Sequence, residues 1–240
     1  MNEKQIDIRN RPFIFLNAAV SADGKISTKE RRQIKISGDC DLERVDELKK
    51  DSDAIMVGIG TVLADDPSLT IKSETRRNYR KDEGLDENPV RIIVDSRART
   101  PKNADIFKKG KGKRIIAVSK SAPKEKLKIL EDKATVIVAG DGKVDLKMLA
   151  EKLKEMGIEK IMVEGGSSLN WSLLSLKLVD EIYTFIGNII IGGYSAPTLV
   201  DGSGFLENEI LQLKLANFEQ MDKGLLVKWQ VVYKDTSDSK

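Results

Sequence analysis

Three glycine-bearing junctions hold the residues of this 240-residue chain whose types and spacing suit chemistry. The first reads Val57-Gly-Ile-Gly-Thr-Val-Leu-Ala-Asp-Asp-Pro67. Gly58 and Gly60 let backbone amides approach a ligand closely, and Thr61 adds a hydroxyl. It is not a dinucleotide fingerprint, because Leu63 stands where the third glycine belongs. The second junction reads Ile161-Met-Val-Glu-Gly-Gly-Ser-Ser-Leu-Asn170. A strand ends at Glu164, Gly165 and Gly166 relax the backbone, and Ser167 or Ser168 is expected to cap a helix. Free amides at such a helix start, with serine hydroxyls, form an anion cradle. The dipole adds only ~0.3–1 kcal/mol, so charge-assisted hydrogen bonds at ~1.5–3 kcal/mol each would dominate. Glu164 would repel a phosphate and so suits a neutral or cationic part of a ligand. The third junction, Val94-Asp-Ser-Arg-Ala-Arg-Thr-Pro101, offers Ser96 as a cap and the forks of Arg97 and Arg99 to a phosphate. Each junction also has a purely structural reading: a turn needing glycine, a capped helix with an exposed Glu, solvated arginines.

What is missing narrows the chemistry further. The chain has no histidine, which removes imidazole triads, His-ligated zinc and an imidazole base at neutral pH. Its single cysteine, Cys40, precludes an intrachain disulfide, and the neighbours Asp39, Asp41 and Glu43 make it a poor nucleophile. Chemistry must come from carboxylates, amines, hydroxyls, backbone groups or a borrowed cofactor. Forty-one basic against 38 acidic residues leave +3, too balanced for a nucleic-acid binder. No apolar run spans a bilayer, and the first residues lack the apolar centre of a secretory signal. A cytoplasmic protein without membrane or nucleic-acid partners is expected.

These junctions need elements to position them. Apolar, β-branched runs at Phe13–Val20, Ala54–Gly58, Val90–Asp95, Arg114–Ser119, Thr135–Ala139 and Ile161–Glu164 read as strands buried on both faces. Helical spacing covers Asp39–Lys50, Ser121–Glu131 and Asp145–Met156, the last with Asp145 as N-cap and Gly157 as stop. The alternation implies an α/β domain with right-handed crossovers and a mainly parallel sheet. Asp180–Ile191, Ile210–Phe218 and Leu225–Tyr233 follow as strands, with a hairpin turn at 221–224, so antiparallel strands should finish a mixed sheet. The charged segment 72–88 reads as a solvated loop. Residues 1–11 are expected to be an extension, 12–233 one domain, and 234–240 a disordered tail. On residues alone, the chain is a phosphate-friendly α/β domain, a dinucleotide or sugar-phosphate binder.

The order SADG, DAIMVGIGTVLADDPSLTIK, NPVRIIVDSRARTP, IMVEGGSSLNWSLL and LVDEIYTFIGNIIIGGYSAPTL, from about Phe13 to Phe205, resembles the riboflavin-biosynthesis pyrimidine reductases. The resemblance is to their stand-alone form, without the zinc-binding deaminase half. It implies a dihydrofolate-reductase-like mixed sheet with flanking helices, and a homodimer. It also implies NADPH-dependent reduction of the ribosyl group of 2,5-diamino-6-ribosylamino-4(3H)-pyrimidinone 5′-phosphate, by hydride transfer to C1 of the ring-opened imine. NADH remains open as reductant. Carried over by position, Ala19, Thr61, Asp65 and Ser96 match cofactor contacts, and Gly165, Gly166, Ser167, Ser168 and Leu169 match the pyrophosphate loop. Glu164 matches a substrate contact and is the candidate catalytic group; Lys49, Leu69 and Lys72 match substrate contacts. Bacterial members carry serine and tryptophan near Gln33 and Lys35, a departure that leaves those two positions without a role. Two other readings stay open: another reductase of this fold, and a non-catalytic dinucleotide binder.

Overall fold

The computed structural model describes residues 10–32 and 34–233. Most of the expected extension over 1–11, Gln33 and the tail 234–240 lie outside the described residues.

Nine strands form one sheet: β1 Phe13–Ser21, β2 Ala54–Gly58, β3 Val90–Val94, β4 Arg114–Val118, β5 Thr135–Val138, β6 Lys160–Val163, β7 Glu181–Gly187, β8 Gln212–Met221 and β9 Gly224–Val232. Their order is β5-β4-β3-β2-β6-β1-β7-β9-β8. The pairings from β5 through β7 are parallel, and β9 and β8 join antiparallel. The parallel strands are short and apolar because helices cover both faces. Helices α6 (Leu146–Glu155) and α7 (Ser167–Ser175) pack Leu149, Leu153, Leu169 and Leu173 against Leu16, Met56 and Val163. On the other face, α2 (Ile59–Asp65), α4 (Asp105–Lys108) and α5 (Lys124–Glu131) cover Ile55, Val57, Ile93 and Ile116.

Helix α1 (Asp39–Lys50) matches its expected bounds. The Asp145 carboxylate caps α6, accepting the amides of Lys147 and Met148, and Gly157 ends it at φ 81°. Two expectations about helix starts need correction. Neither Ser167 nor Ser168 caps α7; its N-cap is Gly166, with no side-chain bond. Ser96 caps no helix: its Oγ accepts the amide of Val144 at 3.0 Å and ties two loops together. A third correction concerns the charged segment 72–88, which is not a loop. It contains α3 (Glu74–Asp82), started by Ser73, whose hydroxyl accepts the amide of Arg76. No apolar stripe betrays this helix, since charge holds it down: Arg76 meets Glu43, Asp46 and Glu47 of α1 at 2.6, 3.2 and 2.7 Å. Arg80 is buried and donates to the carbonyls of Lys50, Ser52 and Asp86.

Candidate active site

The C-terminal ends of β2, β3 and β6 open onto a cleft of about 590 Å³, where ligands sit in open α/β sheets. Of the expected cofactor residues, Thr61, Asp65, Ser96, Gly166, Ser167, Ser168 and Leu169 line it. Ala19, on β1 opposite Phe185, and Gly165 do not. Arg99 reaches the cleft wall with Arg31 and Lys143, whereas Arg97 does not. Arg31 and Lys143 were not singled out from the sequence, where lone basic residues in loops carry no signal.

The cleft fits a dinucleotide. Because Gly166 offers no side-chain cap, the first amides of α7, those of Ser167 and Ser168, find no acceptor among the described residues. Amides left free at a helix start suit a pyrophosphate. Gly165 sits at φ 99°, a conformation that a Cβ would strain, and a Cβ on Gly166 would crowd the Thr61 hydroxyl at 3.1 Å. Bare backbone therefore faces the cleft. Burial pushes the Asp65 carboxyl above its ordinary value.

Beside the cleft lies a second, polar group of side chains. Glu164 is one residue beyond β6, and its amide bonds the Met56 carbonyl. Its carboxylate meets the ammonium of Lys49, from the last turn of α1, at 2.9 Å, with both side chains largely buried. Lys72 comes near the same carboxylate, its ammonium resting on Ser68 Oγ at 3.0 Å and Thr70 Oγ1 at 3.2 Å. Burial, then repulsion from Lys49 and Lys109, pushes the Lys72 ammonium down. Leu69 contributes no side chain to this group, since it is buried in the core beside Ile55 and Val62. Its backbone, at φ 53°, has no hydrogen-bond partner among the described residues and is what it can offer a ligand. Lys35 instead pairs with Asp39 on the surface.

Sequence reasoning missed two residues of this region. The Asp46 carboxylate, buried on α1, accepts the amides of Lys72 and Ser73 at 2.6 and 2.9 Å and so holds the Lys72 loop. Asn17 is a buried amide on β1, one residue past the Leu16–Val163 pair at the end of the β1–β6 register. A single polar residue inside FIFLNAAV was the available signal. The Asp222 carboxylate of the β8–β9 turn, bonded to the Cys40 thiol, pushes its pKa up, the direction expected from the sequence but with a different residue as first cause.

A mixed sheet with a cleft at its strand ends, lined by free helix amides and flanked by a carboxylate and two lysines, suits an enzyme that borrows a dinucleotide. The chain belongs to the RibD C-terminal domain family, whose model matches residues 12–227. It is 46% identical over 217 residues to the 2,5-diamino-6-ribosylamino-4(3H)-pyrimidinone 5′-phosphate reductase of Archaeoglobus fulgidus, covering 90% of this chain and 97% of that protein. The reductase of the same name from Methanothermobacter thermautotrophicus is also 46% identical, over 92% of this chain and 99% of that one. Among solved structures, a pyrimidine reductase-like protein from Corynebacterium diphtheriae superposes with a TM-score of 0.79 at 20% identity, over 97% of this chain and 96% of that one. The riboflavin biosynthesis reductase of Saccharomyces cerevisiae does so at 0.71 and 24% identity, over 97% and 93%. At those identities the superpositions establish the fold.

Proposed function

We infer that the chain reduces the ribosyl side chain of 2,5-diamino-6-ribosylamino-4(3H)-pyrimidinone 5′-phosphate to the ribityl product, with NADPH as reductant. The observation that carries this reading is the adjacency of two sites through one short segment: Glu164 stands with Lys49, and Gly166 to Leu169, two to five residues further on, line the cleft. The 46% identical relatives of that name support it. The cofactor supplies a hydride, a two-electron step for which no histidine is needed. The protein's task is to hold the imine carbon within reach, worth up to about 7–11 kcal/mol in favourable cases.

The free amides of α7 hold the pyrophosphate, while Thr61 and Asp65 bind the nicotinamide half and Ser96 the adenosine half. Ala19 and Gly165 complete the cofactor set as backbone contacts. Lys49 and Lys72 meet the 5′-phosphate as point charges, without the fork of arginine, and the backbone of Leu69 borders the substrate. Glu164 accepts a hydrogen bond from the ring-opened sugar and orients it. The reading is tested by following absorbance at 340 nm: NADPH should be consumed with the pyrimidinone phosphate and not with dihydrofolate. Consumption with dihydrofolate alone would contradict it.

The active form is a homodimer. Strand β8 is a ten-residue sheet edge with Leu213, Leu215 and Phe218 exposed, a long apolar edge of the kind that proteins cover. The same strand of a second copy is self-complementary about a two-fold axis. Leu215→Lys with Phe218→Lys should give monomers in analytical ultracentrifugation, and a wild-type monomer would refute the assignment.

A further inference from the structure

The run Asn88-Pro-Val-Arg91 opens β3 and lines no part of the cleft, yet Asn88 and Arg91 are only 1% and 0% exposed. Arg91 bonds carbonyls alone among the described residues. Its Nη1 donates to Lys109 O at 2.7 Å and Ile106 O at 3.2 Å, and its Nη2 to Lys111 O at 3.1 Å and Gly110 O at 3.2 Å. A longer contact, 3.4 Å, reaches the Ser68 carbonyl. Burial, then repulsion from Arg114 beside it in the β3–β4 register, pushes the guanidinium pKa down to about 10. Burying a charge away from any counter-ion is costly, and an apolar side chain of similar volume would fill the same space at less cost. Arg91 does what an apolar side chain could not. Its planar fork spans carbonyls that the point charge of a lysine could not reach together.

The loop gathered in this way, residues 106–111, backs the turn that carries Lys72. Gly110, at φ 65°, lies so near Thr70 that a Cβ would sit 2.6 Å from its Cγ2. Asn88 joins the two segments: its Oδ1 accepts the Ile71 amide at 2.9 Å, and its Nδ2 donates to the Lys111 carbonyl at 3.1 Å. The hydroxyls of Ser68 and Thr70 then hold the Lys72 ammonium. A cavity of about 300 Å³ borders Thr70, Ile71 and Lys72, so bonds rather than close packing hold this side of the turn.

We propose that Arg91 is a positioning residue for substrate binding: by gathering residues 106–111, and through Asn88, it fixes the Ser68 and Thr70 hydroxyls on which the Lys72 ammonium rests. This rests on the reductase reading above, in which Lys72 meets the 5′-phosphate. A lysine already seated by protein hydroxyls loses less side-chain freedom when the phosphate arrives than one the ligand must immobilise itself.

A double-mutant cycle in the full chain decides. Arg91→Met should raise KM for the pyrimidinone phosphate about tenfold, with kcat and the NADPH Kd within about twofold of the wild type, as loss of uniform binding requires. Arg91→Lys keeps the charge but not the fork and should recover part of the loss. In a Lys72→Ala background the same Arg91→Met change should add nothing, because the ammonium it seats is gone. An arginine that served stability alone would act by the same factor with or without Lys72. Effects that multiply in this way would overturn the inference, and so would an NADPH Kd that rises with KM. Each variant is assayed at a temperature at which circular dichroism shows it fully folded. If Arg91→Met does not fold, Asn88→Ala goes through the same cycle with the same expected outcome and decides instead. A wild type that never consumes NADPH with this substrate would overturn the reductase reading, and this inference with it; multiplying effects in an active wild type overturn this inference alone.

Discussion

Lys49 Nζ stands 2.9 Å from Glu164 Oε1, joining the last turn of α1 to the end of β6 at the mouth of the cofactor cleft. On the proposed reading, the pair would couple phosphate binding to sugar orientation, with one partner a cation for the substrate and the other its hydrogen-bond acceptor. Glu164→Gln keeps a hydrogen bond to Lys49 but loses the charge. The cost to folding should stay under about 1 kcal/mol, moving Tm by no more than about 3 °C. Single-turnover hydride transfer should fall about a hundredfold, the scale of rate lost when a substrate is misplaced by about 1 Å. An unchanged single-turnover rate removes Glu164 from the mechanism.

Asp46 holds the Lys72 loop from beneath. It accepts the amides of Lys72 and Ser73 and the guanidinium of Arg76. Asp46→Ala leaves those donors without a partner at a cost of about 3 kcal/mol, since bonds to charged groups contribute about 1.5–3 kcal/mol each and do not add fully. Calorimetry should show a Tm fall of roughly 6–12 °C. In the folded fraction, KM for the phosphorylated substrate should rise while the NADPH Kd stays put. A raised NADPH Kd with normal KM would mean that the loop serves the cofactor instead.

Lys72 should set an alkaline limit on substrate binding. Its ammonium is pushed down by burial and by Lys49 and Lys109, so it loses its proton below the ~10.4 of a free lysine. KM should therefore climb with pH before an ordinary lysine would titrate. Lys72→Arg, charged throughout, should abolish that limb. The linkage has the opposite sign for folding: the unfolded chain binds the extra proton, so this group makes stability rise with pH across the same window. A KM increase here is not unfolding. A limb that persists in Lys72→Arg would assign it to another group.

Arg11 and Asp180 close the base of the sheet. The guanidinium forks onto both carboxylate oxygens at 2.8 Å, and the Ile14 amide bonds the same carboxylate at 2.8 Å. Removing one partner of a buried pair costs about 3–5 kcal/mol. Asp180→Ala should lower Tm by roughly 10 °C, with kcat/KM of the folded enzyme unchanged. A drop in kcat/KM at temperatures where the variant is fully folded would tie this pair to the site.

Strands and cleft were legible in the sequence because buried parallel strands and their glycine ends leave a one-dimensional signature. Ala54–Gly58 and Asp39–Lys50 match their expected bounds. The helix Glu74–Asp82 was not legible, for its stability comes from Arg76 reaching three carboxylates on a distant helix rather than from its own apolar spacing. The same limit hid Asp46 and Asn17. Each matters through a partner 26 or 27 positions away, Lys72 and Arg44 respectively. The burial of Leu69 was not legible either, since it depends on a positive φ in the turn and a side chain packed in the core.

The proposed reaction passes a hydride from a nucleotide in the cleft to C1 of the opened sugar. It is tested by running the reaction with NADPH carrying deuterium at the transferred position of nicotinamide C4, in ordinary water, and reading the product by NMR and mass spectrometry. One deuterium at the ribityl C1, with one NADP⁺ formed per product, is the expected result. Product without deuterium at C1, or no product at all, would contradict the account.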